Sequence, residues 1–186
     1  MKINWVVADS LAADPTVETE KLKAVGPIWG GWKTWRSCDT DNVICHQLTD
    51  ARTLISRQFH QRCNMHLPQS LYQDLERPTG VKLYQGNFHL DVGNPDEIVA
   101  MHLAADNCDI VLLLGFDLTE KSLDHDKLAK HKWHVYKNYV RQIITDKTDV
   151  QWVLLDHPGI AAPEFKDLSN LQFDSLSNVL QSLSNL

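Results

Sequence analysis

The stretch Gly93 to Leu118, GNPDEIVAMHLAADNCDIVLLLGFDL, decides the fold class. Asn94 suits a helix N-cap and Pro95 the first helical position. Asp96 and Glu97 fall in the first turn, where the helix dipole favours negative charge. Ile98, Met101, His102 and Ala105 then recur at helical spacing. Asp109 opens the run Ile110-Val111-Leu112-Leu113-Leu114, which has no polar alternation. A strand of that kind is covered on both faces, the habit of parallel sheets. Gly115-Phe116-Asp117 follows, and in open α/β sheets ligands bind beyond the carboxyl ends of the strands. Asp117 is therefore the first site candidate.

Working outward, Ile3 to Ala8 reads as a first strand ending at Asp9-Ser10, and residues 11–41 are the least regular part, with a short helix near Val17 to Val25. Asn42 to Gln47 reads as a second strand. Thr49-Asp50 cap a helix over Ala51 to Met65, and a shorter one occupies Gln69 to Leu75. Val81 to Gln85 and Gln151 to Leu155 supply further strands, with a helix near Trp133 to Thr145 before the last. Leu171 to Phe173 is a short extended piece, and Leu176, Val179, Leu180 and Leu183 line one face of a closing helix. Strands alternating with helices predict a single three-layer, Rossmann-like α/β domain over 1–186, with a mostly parallel sheet of about five or six strands.

The totals narrow the function classes. The 186 residues are 43% apolar with a net charge of −6, which suits one buried core and argues against a nucleic-acid partner. No apolar run approaches the roughly 18–20 residues of a membrane span, and the start, MKINWVVADS, lacks a signal peptide's apolar region. Four cysteines without metal-type spacing read as reduced, partly buried thiols, and a cytoplasmic location is the expectation.

On a parallel sheet the strand ends gather Asp9-Ser10, His46-Gln47, Gln85-Gly86-Asn87, Gly115-Phe116-Asp117 and Asp156-His157 along one edge. Three of these ends carry Asp, an arrangement suited to a hydroxyl, a divalent cation or a general base; Asp also caps loops and helices throughout α/β proteins. The stretch GPIWGGWKTWRS (Gly26 to Ser37) reads as a loop. There Gly30 and Gly31 would let the backbone approach phosphate, Lys33 and Arg36 would meet its charge, and Trp32 would stack on a base or sugar. The alternative is a structured loop covering a sheet edge or a partner. Neither GxxxxGK[ST] nor GxGxxG is present. Of the nine histidines, His125 and His131 are the candidates for a general base, since an imidazole titrates near neutral pH. Spacing gives no metal motif.

From Asn94 onward the order of elements is similar to a superfamily that joins bacterial sialyltransferase-like proteins, motility-associated glycosyltransferases and hydroxymethylpterin pyrophosphokinase-like proteins. The carriers are the strand ending Leu-Leu-Gly-Phe-Asp-Leu, a His-bearing polar loop, a helix with Tyr136 and Tyr139, a strand and a Pro-bearing segment. The resemblance covers about half of the chain; only Gly115, Asp117 and one of His125, His131 or His134 map onto it. A Gly-rich loop after the first strand is missing, as are tyrosines between Thr119 and Lys130. The resemblance implies a nucleotide or nucleotide-sugar at the strand ends, with Asp117 positioning a hydroxyl or cation and a lid histidine as base.

Two function classes follow. The first is a small transferase acting on a nucleotide-linked or phosphorylated substrate, with Mg2+ accompanying the nucleotide. Its site would draw on Asp9, Ser10, Gly30, Gly31, Trp32, Lys33, Asn87, Asp117, His125, His131 and Asp156. The second is a non-catalytic assembly protein that uses the Trp-rich loop and the C-terminal helix, as in a homodimer. A metal-dependent hydrolase built from Asp9, Asp117 and Asp156 is a third.

Overall fold

The computed structural model describes residues 1–8, 18–34, 38–85, 95–118, 127–156 and 163–183. Eight strands form one sheet: β1 (Ile3–Val7), β2 (Ile28–Gly31), β3 (Asn42–Ile44), β4 (Asn64–Pro68), β5 (Val81–Tyr84), β6 (Ile110–Leu114), β7 (Gln151–Leu155) and β8 (Leu171–Asp174). Their order is β5-β4-β3-β2-β1-β6-β7-β8, and every neighbouring pair is parallel. The helices are α1 (Thr19–Val25), α2 (Leu48–Ser56), α3 (Gln69–Asp74), α4 (Pro95–Ala104), α5 (Lys127–Asp146), α6 (Pro163–Lys166) and α7 (Leu176–Leu183).

From β1 the chain steps outward to β5, and α4 then carries it back to β6 on the other side of β1. Crossovers of one hand place their helices on opposite faces when the direction of stepping reverses. The cores follow this rule. Leu22 of α1 packs with Trp5, Val7 and Ile28, and Ala51 and Leu54 of α2 pack with Val43, Cys45, Met65 and Leu67 on the same face. On the opposite face Val99 and Met101 of α4, Val140 and Ile144 of α5 and Phe165 of α6 pack with Val6, Val111, Leu113, Trp152 and Leu154. The chain reverses again after β8, and α7 returns to the α1 face, where its Leu176, Val179, Leu180 and Leu183 lie against that core. The unbroken apolar run of β6 is thereby explained. Val111 and Leu113 point to one layer, Leu112 and Leu114 to the other.

The sheet is larger than the five or six strands expected, and the two additions have physical causes. Ile28–Gly31, read as part of a loop, is β2 between β1 and β3. Its glycines hid it, because glycine has no strand preference of its own. The helix expected to reach Met65 stops at Ser56. Gln58 then adopts a left-handed conformation, Phe59–Gln61 form one 3₁₀ turn, and Asn64–Pro68 emerge as β4. Ile55, Phe59 and Cys63 kept a helical i, i+4 spacing through this turn, so periodicity alone did not expose the break.

Candidate active site

Because all eight strands run the same way, their carboxyl ends share one edge. The strand order reverses between β1 and β6, and ligands of open α/β sheets bind at such a reversal. On one side of it, beyond β6, Gly115 takes a left-handed φ of 82°. That turn, which suits glycine, leads into buried Phe116, half-buried Asp117 and buried Leu118.

On the other side, the most developed chemistry sits at the end of β3. His46, two residues past the strand, places Nδ1 2.5 Å from Oδ1 of Asp96. The Asp96 carboxylate is the acceptor, which makes Nδ1–H the donor; in the neutral ring Nε2 then carries the lone pair. The imidazole keeps 14% of its side-chain surface, and Nδ1 to Asp96 is its one hydrogen bond among the described residues. An imidazole held on one nitrogen by a buried carboxylate, with no hydrogen bond on the other among the described residues, is an arrangement suited to a general base.

The position of α4 creates this pair. The helix lies across β1, β2 and β3 and packs against α5, and Ile98 to Met101 are all buried. A helix enclosed in that way carries its first turn inside too, so Asp96 is 4% and Glu97 1% exposed. These two acids, which the sequence places at a favourable dipole end, are interior groups tied by specific partners. Glu97 Oε2 accepts a hydrogen bond from the Tyr136 hydroxyl at 2.6 Å. Burial, followed by the charge of Asp96, pushes the Tyr84 phenol up from its ordinary range, so it stays protonated at the end of β5. The same two causes raise the Cys45 thiol; Cys45 is therefore a packing group and not a thiolate nucleophile.

The residues singled out from the sequence, His131 apart, divide into three groups. Asp9, Ser10, Asn87 and His125 lie outside the described residues, as do Trp35 and Arg36. Lys33 and Asp117 do reach the carboxyl edge. Lys33 is exposed in the turn just beyond β2, the strand paired with β3, and forms no ion pair among the described residues. The third group has structural work that the sequence did not reveal. Gly30 is buried in β2, where an added Cβ would lie 2.8 Å from the Cβ and Cγ2 of Thr34. Thr34 is itself fully buried and donates its hydroxyl to the Val7 carbonyl at 3.3 Å. Gly31 is buried at the strand's end, and Trp32 packs in part against the α2 core. Asp156 follows β7 and accepts the backbone N–H of Leu176 at 3.1 Å, which caps α7. It also lines a recess of about 570 Å³ between α1 and α7, together with Lys21, Leu176 and Ser177. His131 is exposed on α5 and has no hydrogen-bond partner among the described residues.

His46 was visible as a strand-end residue, but its partner is 50 positions away. Only the strand order brings α4 over β3 and joins them. Among the described residues no three His, Cys, Asp or Glu side chains gather as ligands for a metal ion. No helix among them is long and apolar enough to cross a membrane. Comparison with known proteins matched no family model, no curated protein and no solved structure.

Proposed function

We propose that this chain is a small transferase-like protein that takes a nucleotide, nucleotide-sugar or other phosphorylated substrate along the carboxyl edge of its sheet. The observation that carries this reading is the His46–Asp96 pair at the end of β3. Asp96 holds the imidazole so that Nε2 can accept the proton of an acceptor hydroxyl. The acceptor oxygen then bonds to the donor carbon or phosphorus, and the phosphate-bearing group leaves with the electrons of the broken bond. Lys33, on the neighbouring strand's exit, meets the negative charge of that leaving group.

The spacing of the strands supports a substrate of nucleotide-sugar size. β3 and β6 are three strands apart in the sheet, which at about 4.8 Å per strand puts His46 and Asp117 roughly 14 Å from each other. A nucleoside diphosphate-sugar bridges such a distance and a monosaccharide does not. Asp117 accordingly acts as an anchor for a hydroxyl at the far end of the substrate, and His46 takes the role of base that the sequence assigned to His125 or His131. No step is assigned to Mg2+.

The test is thermal unfolding against cytidine and adenosine nucleotides and nucleotide-sugars, with and without magnesium. A ligand at about 100 times its Kd adds roughly 2.7 kcal/mol of stability, a readily measured rise in Tm. The expected result is a base-selective rise that weakens in Lys33→Ala, and a transfer activity lost in His46→Asn. A flat panel at millimolar ligand would overturn the reading.

A further inference from the structure

We infer that Glu97 and Tyr136 are positioning residues for the base: their hydrogen bond sets the rotation of α4 and so aims Asp96 at His46. This inference rests on the reading of His46 as the base. Asp96 and Glu97 are consecutive in a first turn. Their side chains therefore leave the helix about 100° apart around its axis. One reaches β3 through His46 and the other reaches α5 through Tyr136. Two ties in different directions fix a helix against rotation where one does not.

The first turn needs such ties. It lies at the end of the packed stretch Ile98 to Met101, and its backbone N–H groups have no partners inside the helix, so the side-chain ties add to that packing in setting its angle. Tyr136 is a firm point of attachment. It is 4% exposed, and its ring stacks on Trp133 at 5.6 Å between centroids with 24° between planes. Glu97, at 1% exposure, is a costly residue to bury unless its carboxylate is hydrogen-bonded. An apolar side chain would fill the same volume without fixing the angle.

The experiment reads the tautomer of His46 from the nitrogen chemical shifts of its ring at alkaline pH, with the signals assigned by their loss in His46→Asn. In the unmodified protein the Nδ1–H form dominates. Tyr136→Phe and Glu97→Leu shift the population toward the Nε2–H form, while Glu97→Gln, which keeps an acceptor for the Tyr136 hydroxyl, retains Nδ1–H. Glu164→Gln serves as the control. It loosens a different tie of α5, the bond from Lys137 to Glu164 at 2.8 Å, and leaves the tautomer unchanged. A Tyr136→Phe protein that folds cooperatively with the Nδ1–H form intact overturns the inference, and so does an equal shift in Glu164→Gln. Neither result touches the transferase reading, which stands or falls on the nucleotide panel.

Discussion

Acid should destabilise this protein through one buried histidine on β4, the strand beside β3. His66 on β4 is 7% exposed. Its Nε2–H donates to the Asn42 side-chain oxygen at 3.1 Å, and its ring lies 5.1 Å from that of Trp29. Burial, assisted by the charge of Lys82, lowers its pKa from 6.5 to about 4. The folded state thus binds this proton less readily than the unfolded chain. The neutral imidazole's contribution is complete above the unfolded value, falls as pH drops below it, and is gone once pH passes the folded value. At 1.36 kcal/mol per unit, that depression makes about 3 kcal/mol, a large share of the roughly 5–15 kcal/mol that holds a typical domain folded. The assay is urea unfolding at a series of pH values from neutrality to about 4, for the parent chain and for His66→Gln. Glutamine keeps a donor for Asn42 but does not titrate. The stability gap between the two proteins should narrow by about 3 kcal/mol over that window. Parallel pH profiles would refute the reasoning, because carboxylates elsewhere titrate alike in both proteins and cancel in the difference.

Three other outcomes follow from the packing. Asn170→Ala should cost about 1–3 kcal/mol by urea unfolding. The Asn170 amide serves the carbonyls of Ile144, Lys147 and Val150 at 2.9, 3.1 and 3.2 Å and so closes the end of α5. Gly30→Ala should cost a similar amount, about 1–3 kcal/mol, through its clash with Thr34, while the Kd of any nucleotide found in the panel stays the same. A large loss of affinity at unchanged stability would instead return Gly30 to the phosphate site. All four cysteines are free; Cys38, Cys45 and Cys108 are buried, and burial pushes the Cys63 thiol up to about 12. A disulfide reagent at about pH 8 should therefore modify the folded protein slowly and all four thiols quickly in denaturant.

What could be read from the sequence was what repeats locally. The run Ile110 to Leu114 is apolar at every position because two layers cover it, and that pattern announces a central parallel strand by itself. Trp29-Gly30-Gly31 carries no such signal. Its strand exists because β1 and β3 supply hydrogen bonds on both sides and Gly30 makes room for Thr34, both facts of tertiary structure. The site was less legible than the fold for the same reason. Asp117 announces itself by following a strand. Asp96 looks like an ordinary acid at a helix start until α4 is known to lie beside α5 and over β3, and His46 gains meaning only when Asp96 is beside it.

The central place of β1 also bears on how the protein is made. Ile3 pairs with Ile110, so β1 waits for its β6 neighbour until about a hundred further residues have been synthesised. By then β2 to β5 can already be laid down on its other side. That partial sheet presents an unpaired edge along β1, and Val6 and Ile44 stand on the face that α4 will later cover. The growing chain thus passes through a stage with an open strand and a bare apolar layer, the two features that invite association with other chains. Closure comes with one stretch, in which α4 roofs the exposed layer and β6 caps the open edge. The segment that marks the fold class is also the one that ends the vulnerable phase of synthesis.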